Sequence, residues 1–311
     1  MLCRRCRKEE AVIRIPYSRE YLCRSCFISF FDTKVKRMVE DHKMFRKGDV
    51  VAVALSGGKD SASLLYSLKK LYPEIEFKAI YVNLGIAGYS MECERASKEL
   101  AERVNVEFLV YDLMKEDGVN VDLFKFTLYK RKACSPCSVI KRRVFDVLAK
   151  RAGANVLATG HNLDDIVSIY LSSFFSGEFS YISNLGPVQP PLMEGMPKKV
   201  KPLIKIPERE VSLYAYYNNL PVNRTECPHS AGNVQNQYKR LIAFMEEENP
   251  GFKFQVYSLF RKKFQPLIKD ERPLTRCVRC GFPSSGEVCS YCKRIEILRE
   301  ARRFTKHISG S

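Results

Sequence analysis

The sequence predicts an α/β fold: a parallel-sheet domain flanked at its N- and C-terminal ends by small zinc-finger modules. Three observations carry this. Four near-continuous apolar runs alternate with stretches of helical periodicity. Eight of the 12 cysteines fall into two CxxC…CxxC quartets, one towards each end. The segment VVAVALSGGKDSASLLYSLKKL, residues 50–71, passes from an apolar run through a glycine turn into an amphipathic stretch. Strands buried on both faces read as continuous apolar runs, and alternating helices supply the crossovers that parallel strands need.

Residues 1–30 hold the first quartet, Cys3-x2-Cys6 and Cys23-x2-Cys26. One CxxC turn places two thiolates on one side of a metal and a second turn completes a tetrahedron, so a zinc ion is expected. Residues 31–48 form a linker, with a helix expected around 33–46. The domain at 49–251 contains the strand candidates VVAVAL (50–55), FKAIYVNL (77–84), VEFLVYDL (106–113) and NVLATG (155–160). Helical periodicity marks 61–72, 91–104, 136–151 and 162–175. Ligands of such sheets bind beyond the carboxyl ends of the strands, so the turns after residues 55, 84, 113 and 159 should share one cleft. GPVQPPLMEGMPKKVKP (186–202) reads as a loop, and helices are expected near 207–219 and 232–248. The last region, 252–311, carries the second zinc quartet, Cys277-x2-Cys280 and Cys289-x2-Cys292.

Composition narrows the class. Hydrophobic residues at 45% support a real core. No run approaches the roughly 20 apolar residues of a membrane span. The start, MLCRRCRKEE, lacks the apolar centre of a signal peptide. A cytoplasmic protein without a membrane partner is expected, and there cysteine quartets signify metal rather than disulfides. The net charge of +17 is segregated: residues 1–48 hold 13 basic and 6 acidic side chains, residues 252–311 hold 14 and 5, and the middle holds 25 and 24. Basic ends on a neutral centre point to a polyanion, since neutralising phosphates releases condensed counterions.

The glycine turn is not a GxxxxGK[S/T] loop: Gly58-Lys59 is followed by Asp60, and Val53 stands five residues before Gly58. Nor is there a GxGxxG dinucleotide fingerprint. What remains is a strand, a Ser-Gly-Gly turn, then an acidic residue and a serine opening a helix. Gly57 and Gly58 let main-chain N–H groups approach an anion, and the helix terminus adds its dipole. Ser56 and Ser61 can donate hydrogen bonds, and Asp60 can hold Mg2+ against phosphates. A second half-site is TGHNLDD (159–165), a strand end followed by two carboxylates at a helix start; His161 suits ligand contact or capping equally.

Three cysteines outside the quartets form a separate group: Cys134 and Cys137 in RKACSPCSVIKRR, and Cys227 in RTECPHS. Ser135-Pro136 looks like a helix start. Thiols there, beside Arg131, Lys132, Lys141 and Arg142, are expected to have lowered pKa values. With no fourth protein ligand the group is a poor structural zinc site. Three thiolates can hold a [4Fe–4S] cluster with one iron open, and a cysteine pair passing a persulfide fits the spacing equally well. Cys93, within ECERASKELAERV, reads as a packed free thiol.

SGGKDS at 56–61 after a buried strand resembles the PP-loop of the ATP pyrophosphatase superfamily, which cleaves ATP between its α- and β-phosphates. Taken with CSPCSVIKRR, GHNLDD, the late Cys-Pro and zinc modules at both ends, the whole chain resembles the tRNA 2-thiouridine synthetases of the TtcA/TtuA group. The RCVRCGFPSSGEVCSYCK module brings it nearest to the members that thiolate the T-loop uridine. The resemblance implies a [4Fe–4S] cluster on Cys134, Cys137 and Cys227, a ubiquitin-like thiocarboxylate carrier as sulfur source, and a homodimer. It implies ATP contacts from Ala54, Ser56, Gly57, Gly58, Asp60, Ser61, Lys141, Gly160 and Asp165, with Ile80 flanking adenine. In the implied reaction Lys130–Lys132 help grip tRNA, Lys141 neutralises growing phosphate charge, and Asp165 is the one acid–base candidate. A wobble-uridine thiolase is the near alternative, and a non-catalytic zinc RNA-binding protein that senses ATP is the alternative of another class.

Overall fold

The computed structural model describes residues 1–183, 185–230, 233–268 and 274–309. An antiparallel ribbon, β1 (Ile13–Ile15) and β2 (Glu20–Leu22), leads into helix α1 (Arg24–Asp41). Next come β3 (Val50–Leu55), α2 (Lys59–Leu71), β4 (Glu76–Asn83), α3 (Ser90–Arg103), β5 (Glu107–Asp112) and α4 (Leu113–Asp117). They are followed by α5 (Cys134–Arg151), β6 (Val156–Ala158), α6 (Leu163–Ser176), the single turn α7 (Ser180–Ser183), β7 (Val188–Gln189) and β8 (Lys198–Val200). Helices α8 (Glu208–Tyr217), α9 (Val234–Glu248) and α10 (Phe252–Leu259) precede a second ribbon, β9 (Thr275–Arg276) and β10 (Pro283–Ser284), and the closing α11 (Ser290–Ser309).

Six strands form the main sheet in the order β5–β4–β3–β6–β8–β7. All neighbours are parallel except the antiparallel edge pair β7–β8. The chain winds outward from β3 through β4 to β5, then returns to place β6 on the other side of β3. Such a reversal is a topological switch point, where a crevice opens at the strands' carboxyl ends. In register, Val51 faces Val156 and Val53 faces Ala158, so the turns that follow β3 and β6 stand side by side.

Two apolar cores cover the faces of the sheet. In one, Phe27, Phe31 and Val35 of α1 pack with Leu64, Leu65 and Leu68 of α2 and with Tyr214 of α8. The other joins Ile80 and Val82 of β4 to Ile140, Val144 and Leu148 of α5 and to Ile295 and Leu298 of α11. The N-terminal module is thus continuous with one core and the C-terminal helix with the other. The buried carboxylate of Asp32 accepts hydrogen bonds from the Ser67 (2.8 Å) and Tyr214 (2.7 Å) hydroxyls, tying α1 to α2 and α8.

Several boundaries differ from the sequence expectation. Helix α1 starts at Arg24 rather than near 33, because Cys23 serves as its N-cap residue and the second CxxC turn is already the helix's first turn. Strand β5 is an edge strand with a half-exposed burial pattern, although its apolar run resembled those of the central strands. The segment expected as a loop at 186–202 contributes β7 and β8. Only Val200 is apolar in β8, which reads Lys198-Lys199-Val200, and Lys199 is neutralised by Asp146 on α5 at 2.8 Å. Among the described residues no helix is long and apolar enough to cross a membrane.

Candidate functional site: a nucleotide turn facing three thiols

The Ser-Gly-Gly turn is built by its own hydroxyls. Ser56 N–H donates to Ser61 Oγ (3.1 Å), the two serine hydroxyls lie 3.2 Å apart, and Ser61 Oγ donates to Gly58 O (3.1 Å). Gly57 has φ of +76°, and a Cβ there would come within 2.5 Å of Cys93 Cα. Glycine is needed there twice over, for its backbone conformation and for the space. Gly160 is constrained by space alone: a Cβ on it would meet Ser61 N at 2.9 Å and Asp60 C at 3.0 Å. The two half-sites expected from sequence are therefore in close contact. Ala54 and Ile80 pair in register on β3 and β4, and Ile80 is fully buried within the second core.

The acidic residues of both half-sites converge through Asn162. Its side chain caps α6 by accepting from Asp165 N–H (3.0 Å), while Asp165 Oδ2 accepts Asn162 N–H (3.1 Å), forming a reciprocal capping box. Asn162 Nδ2 donates in turn to Asp60 Oδ1 (2.9 Å). Asp60 titrates above the usual carboxylate range, chiefly through burial, with Asp165 and Glu208 adding like charge against the pull of Lys59. Asp164 points away: it accepts Glu208 N–H (2.8 Å) and pairs with Lys253 of α10 (2.6 Å). His161 bonds Thr159 Oγ1 through Nδ1 (2.9 Å).

The segment carrying Cys227 is tied to the glycine turn and to Cys134 by residues that no local motif reveals. Asn223 N–H donates to Gly57 O (2.8 Å), and its amide donates to the Cys93 thiol (3.2 Å). Six residues on, His229 O accepts from Cys134 Sγ (3.0 Å) and His229 Nε2 meets Asp122 Oδ1 at 2.7 Å. The other oxygen of Asp122 accepts Ala87 N–H (2.9 Å). Cys227 is thereby bracketed, tied to the glycine turn on one side and to the start of α5 on the other. Cys93, expected as a packed thiol, is buried beneath Gly57.

One expectation about these thiols is overturned. Burial pushes Cys137 up to about 11 and raises Cys134 as well; the neighbouring Cys227 adds to both shifts, and Lys141 opposes them without prevailing. Desolvation at the partly buried start of α5 outweighs the basic neighbours and the helix terminus. Lys141 stands one helical turn beyond Cys137 on α5, so the two share a face of the helix. Helix α5 begins at Cys134, so Pro136 stands in its first turn, where a missing N–H costs nothing.

Each quartet fits a single tetrahedral ion. Sulfurs bound to zinc at about 2.3 Å stand about 3.8 Å apart along a tetrahedron's edges. The observed separations are 3.8 Å for Cys6–Cys23, 3.9 Å for Cys277–Cys292 and 3.7 Å for Cys280–Cys289. All ligand atoms within each quartet, Cys3, Cys6, Cys23 and Cys26 or Cys277, Cys280, Cys289 and Cys292, lie within 4.8 Å of one another. Main-chain N–H groups, led by that of Cys289, draw the Cys277 thiol down to about 6, while burial raises Cys289 and Cys292. Cys134, Cys137 and Cys227 form no such group, among the described residues, at single-ion spacing.

A parallel sheet wound outward from a Ser-Gly-Gly-Lys-Asp-Ser turn at its switch point defines a PP-loop protein, and residues 29–242 match the PP-loop domain family. Residues 2–28 match the family described as 2-thiouridine synthetase TtuA, N-terminal LIM domain. A protein of Pyrococcus horikoshii named tRNA-5-methyluridine(54) 2-sulfurtransferase is 36% identical over 94% of this chain and 93% of its own length. The tRNA 2-thiolation protein NcsA of Haloferax volcanii is 30% identical over 96% of this chain and 99% of its own. The solved structure of the U34-tRNA thiolase NcsA from Methanococcus maripaludis with its [4Fe-4S] cluster superposes with a TM-score of 0.83 at 28% identity, covering 95% of this chain and 96% of that one. The chain belongs to the PP-loop family of tRNA 2-thiouridine synthetases.

Proposed function

We propose that this protein is an ATP-dependent tRNA 2-thiolation enzyme that acts on the T-loop uridine. The observation that carries the reading is the placement of Cys227, bonded through its neighbours to Gly57 of the nucleotide turn and to Cys134 of α5. A nucleotide site and three soft ligands thereby face one crevice. The hydroxyls and N–H groups of Ser56, Gly57, Gly58 and Ser61 hold the β- and γ-phosphates, Asp60 and Asp165 hold Mg2+, and Lys141 offsets charge on the α-phosphate. Ala54, Ile80 and Gly160 complete the nucleotide wall.

The uridine O2 attacks the α-phosphorus; the bond to the β-phosphate oxygen breaks and pyrophosphate leaves. Sulfide then adds to C2, the C2–O bond breaks, and AMP departs with the former O2. Cys134, Cys137 and Cys227 would hold a [4Fe–4S] cluster, which when bound would supply a binding place for the incoming sulfide. The base must leave its stack to enter the crevice. The basic terminal regions and Lys130–Lys132 hold the RNA through phosphate contacts, which position without reading sequence. The two quartets hold one zinc each, a ubiquitin-like thiocarboxylate carrier delivers the sulfur, and the enzyme works as a cytoplasmic homodimer.

The similarity to NcsA, a U34-tRNA thiolase, supports a second reading in which the wobble uridine is the target. One experiment separates these and the binding-only alternative. Purified protein is given tRNA, Mg·ATP and sulfide under anaerobic conditions; AMP is measured and the tRNA is fragmented to locate 2-thiouridine. AMP release with sulfur in the T-loop fragment is expected. Sulfur in the anticodon fragment moves the assignment to the wobble base, and absence of AMP overturns the enzymatic reading.

A further inference from the structure

Two lysines occupy the carboxylates that a nucleotide's magnesium would need. Lys59 Nζ lies 3.2 Å from Asp60 and 2.6 Å from Glu208. Lys239 Nζ, reaching over from α9, lies 2.5 Å from Asp165 and 3.0 Å from the other oxygen of Glu208. Glu208, at the start of α8, therefore bridges the two ammonium groups and closes a chain of charge running Asp60–Lys59–Glu208–Lys239–Asp165. Burial alone would raise the Glu208 pKa, yet Lys239 and Lys59 together carry it down to about 2.

Magnesium entering this site competes with both lysines for Asp60 and Asp165. An ammonium displaced from a carboxylate in a half-buried site needs another anion, and the anions that arrive with the metal are phosphates. Lysine suits the exchange, being a point charge with rotatable donors on a flexible stem. Lys239 also borders a polar hollow of about 460 Å³, lined with Glu226, Ser230, Asn233 and Asn236. Glu208 keeps it within reach when Asp165 is taken by the metal.

Resting on the PP-loop reading above, we infer that Lys239 is a phosphate-contacting residue that neutralises Asp165 in the nucleotide-free protein and transfers to the β- and γ-phosphates when Mg·ATP binds. Its contacts with ATP are then made through the polyphosphate and not through the nucleoside.

The test uses the full-length, zinc-loaded protein without tRNA and measures binding of Mg·ATP and of AMP by calorimetry. Lys239→Met should weaken Mg·ATP at least tenfold and AMP less than twofold, with Lys239→Arg recovering most of the loss. Equal weakening of both ligands, or unchanged or tighter Mg·ATP binding by Lys239→Met, overturns the assignment. Lys239→Gln serves as a second neutral variant should Lys239→Met fold poorly, with the same outcomes applying. Wild-type protein that binds no Mg·ATP overturns the PP-loop reading itself, and this inference with it.

Discussion

Gly57→Ala is the sharpest perturbation of the nucleotide turn. Gly57 has φ of +76°, a region that costs an L-residue about 1–2 kcal/mol. The added methyl would also stand 2.5 Å from Cys93 Cα, 2.6 Å from its Cβ and 2.8 Å from its carbonyl oxygen. Most of that is backbone, which cannot rotate away, and overpacking of this kind costs about 1–3 kcal/mol. Together the two give about 2–5 kcal/mol, a fall in melting temperature of about 4–10 °C at about 2 °C per kcal/mol for a chain of this size. Where the turn shifts locally instead, the loss appears in Mg·ATP binding. Gly58→Ala is the control: its φ is −96° and its Cβ would meet only Ser56 Oγ at 3.5 Å. At that N-cap position the change should cost no more than about 1 kcal/mol. Differential scanning calorimetry and nucleotide binding read both variants. If Gly57→Ala matched wild type in both, the reasoning about this turn would be wrong.

Three further outcomes are expected. Metal analysis of purified protein should find two zinc ions per chain, and Cys277→Ser should reduce this to one, since each quartet closes its own tetrahedron. Retention of two would break that assignment. Asp122→Asn should keep the bond from Ala87 N–H and lose the charged partner of His229, leaving the Cys227 segment loosely held. Iron bound after anaerobic reconstitution should fall by about half or more, with thermal stability little changed; full iron content would show that the pair does not position the thiols. The Glu208 ion pairs set a pH dependence: its folded-state pKa of about 2 lies below the ordinary 4.5, so their stabilisation is present above pH 4.5 and lost as pH falls from there towards 2. Glu208→Gln should flatten the stability–pH curve in that window, as read by urea unfolding, and an unchanged slope would contradict the ion-pair account.

The features legible in the sequence were those encoded locally. VVAVAL carries its own burial pattern and SGGKDS its own turn, so β3, the glycine loop and α2 stand where they were expected. The quartets are spaced by their own turns, and their sulfurs converge. What escaped depends on residues remote in the chain. Glu208 meets Lys59, and Lys239 meets Asp165, across separations that no window of sequence spans. Asn223, Asp122 and His229, which fix the Cys227 segment, look like ordinary loop polar residues until their partners are known. Strand β8 reads as charged loop because its lysines find Asp49 and Asp146 only after folding. The thiol shift went the wrong way for the same reason: basic neighbours are visible in RKACSPCSVIKRR, and the burial that outweighs them is not.

The central claim is that Cys134, Cys137 and Cys227 act together as one ligand set opposite the nucleotide turn. Iron and acid-labile sulfide, quantified per chain after anaerobic purification of wild type and of the Cys134→Ala, Cys137→Ala and Cys227→Ala variants, test it most directly. About four of each are expected in wild type and a severe loss in every variant, Cys227→Ala included, with both zinc ions retained throughout. Undiminished iron in Cys227→Ala would remove the third thiol from the set and contradict the account.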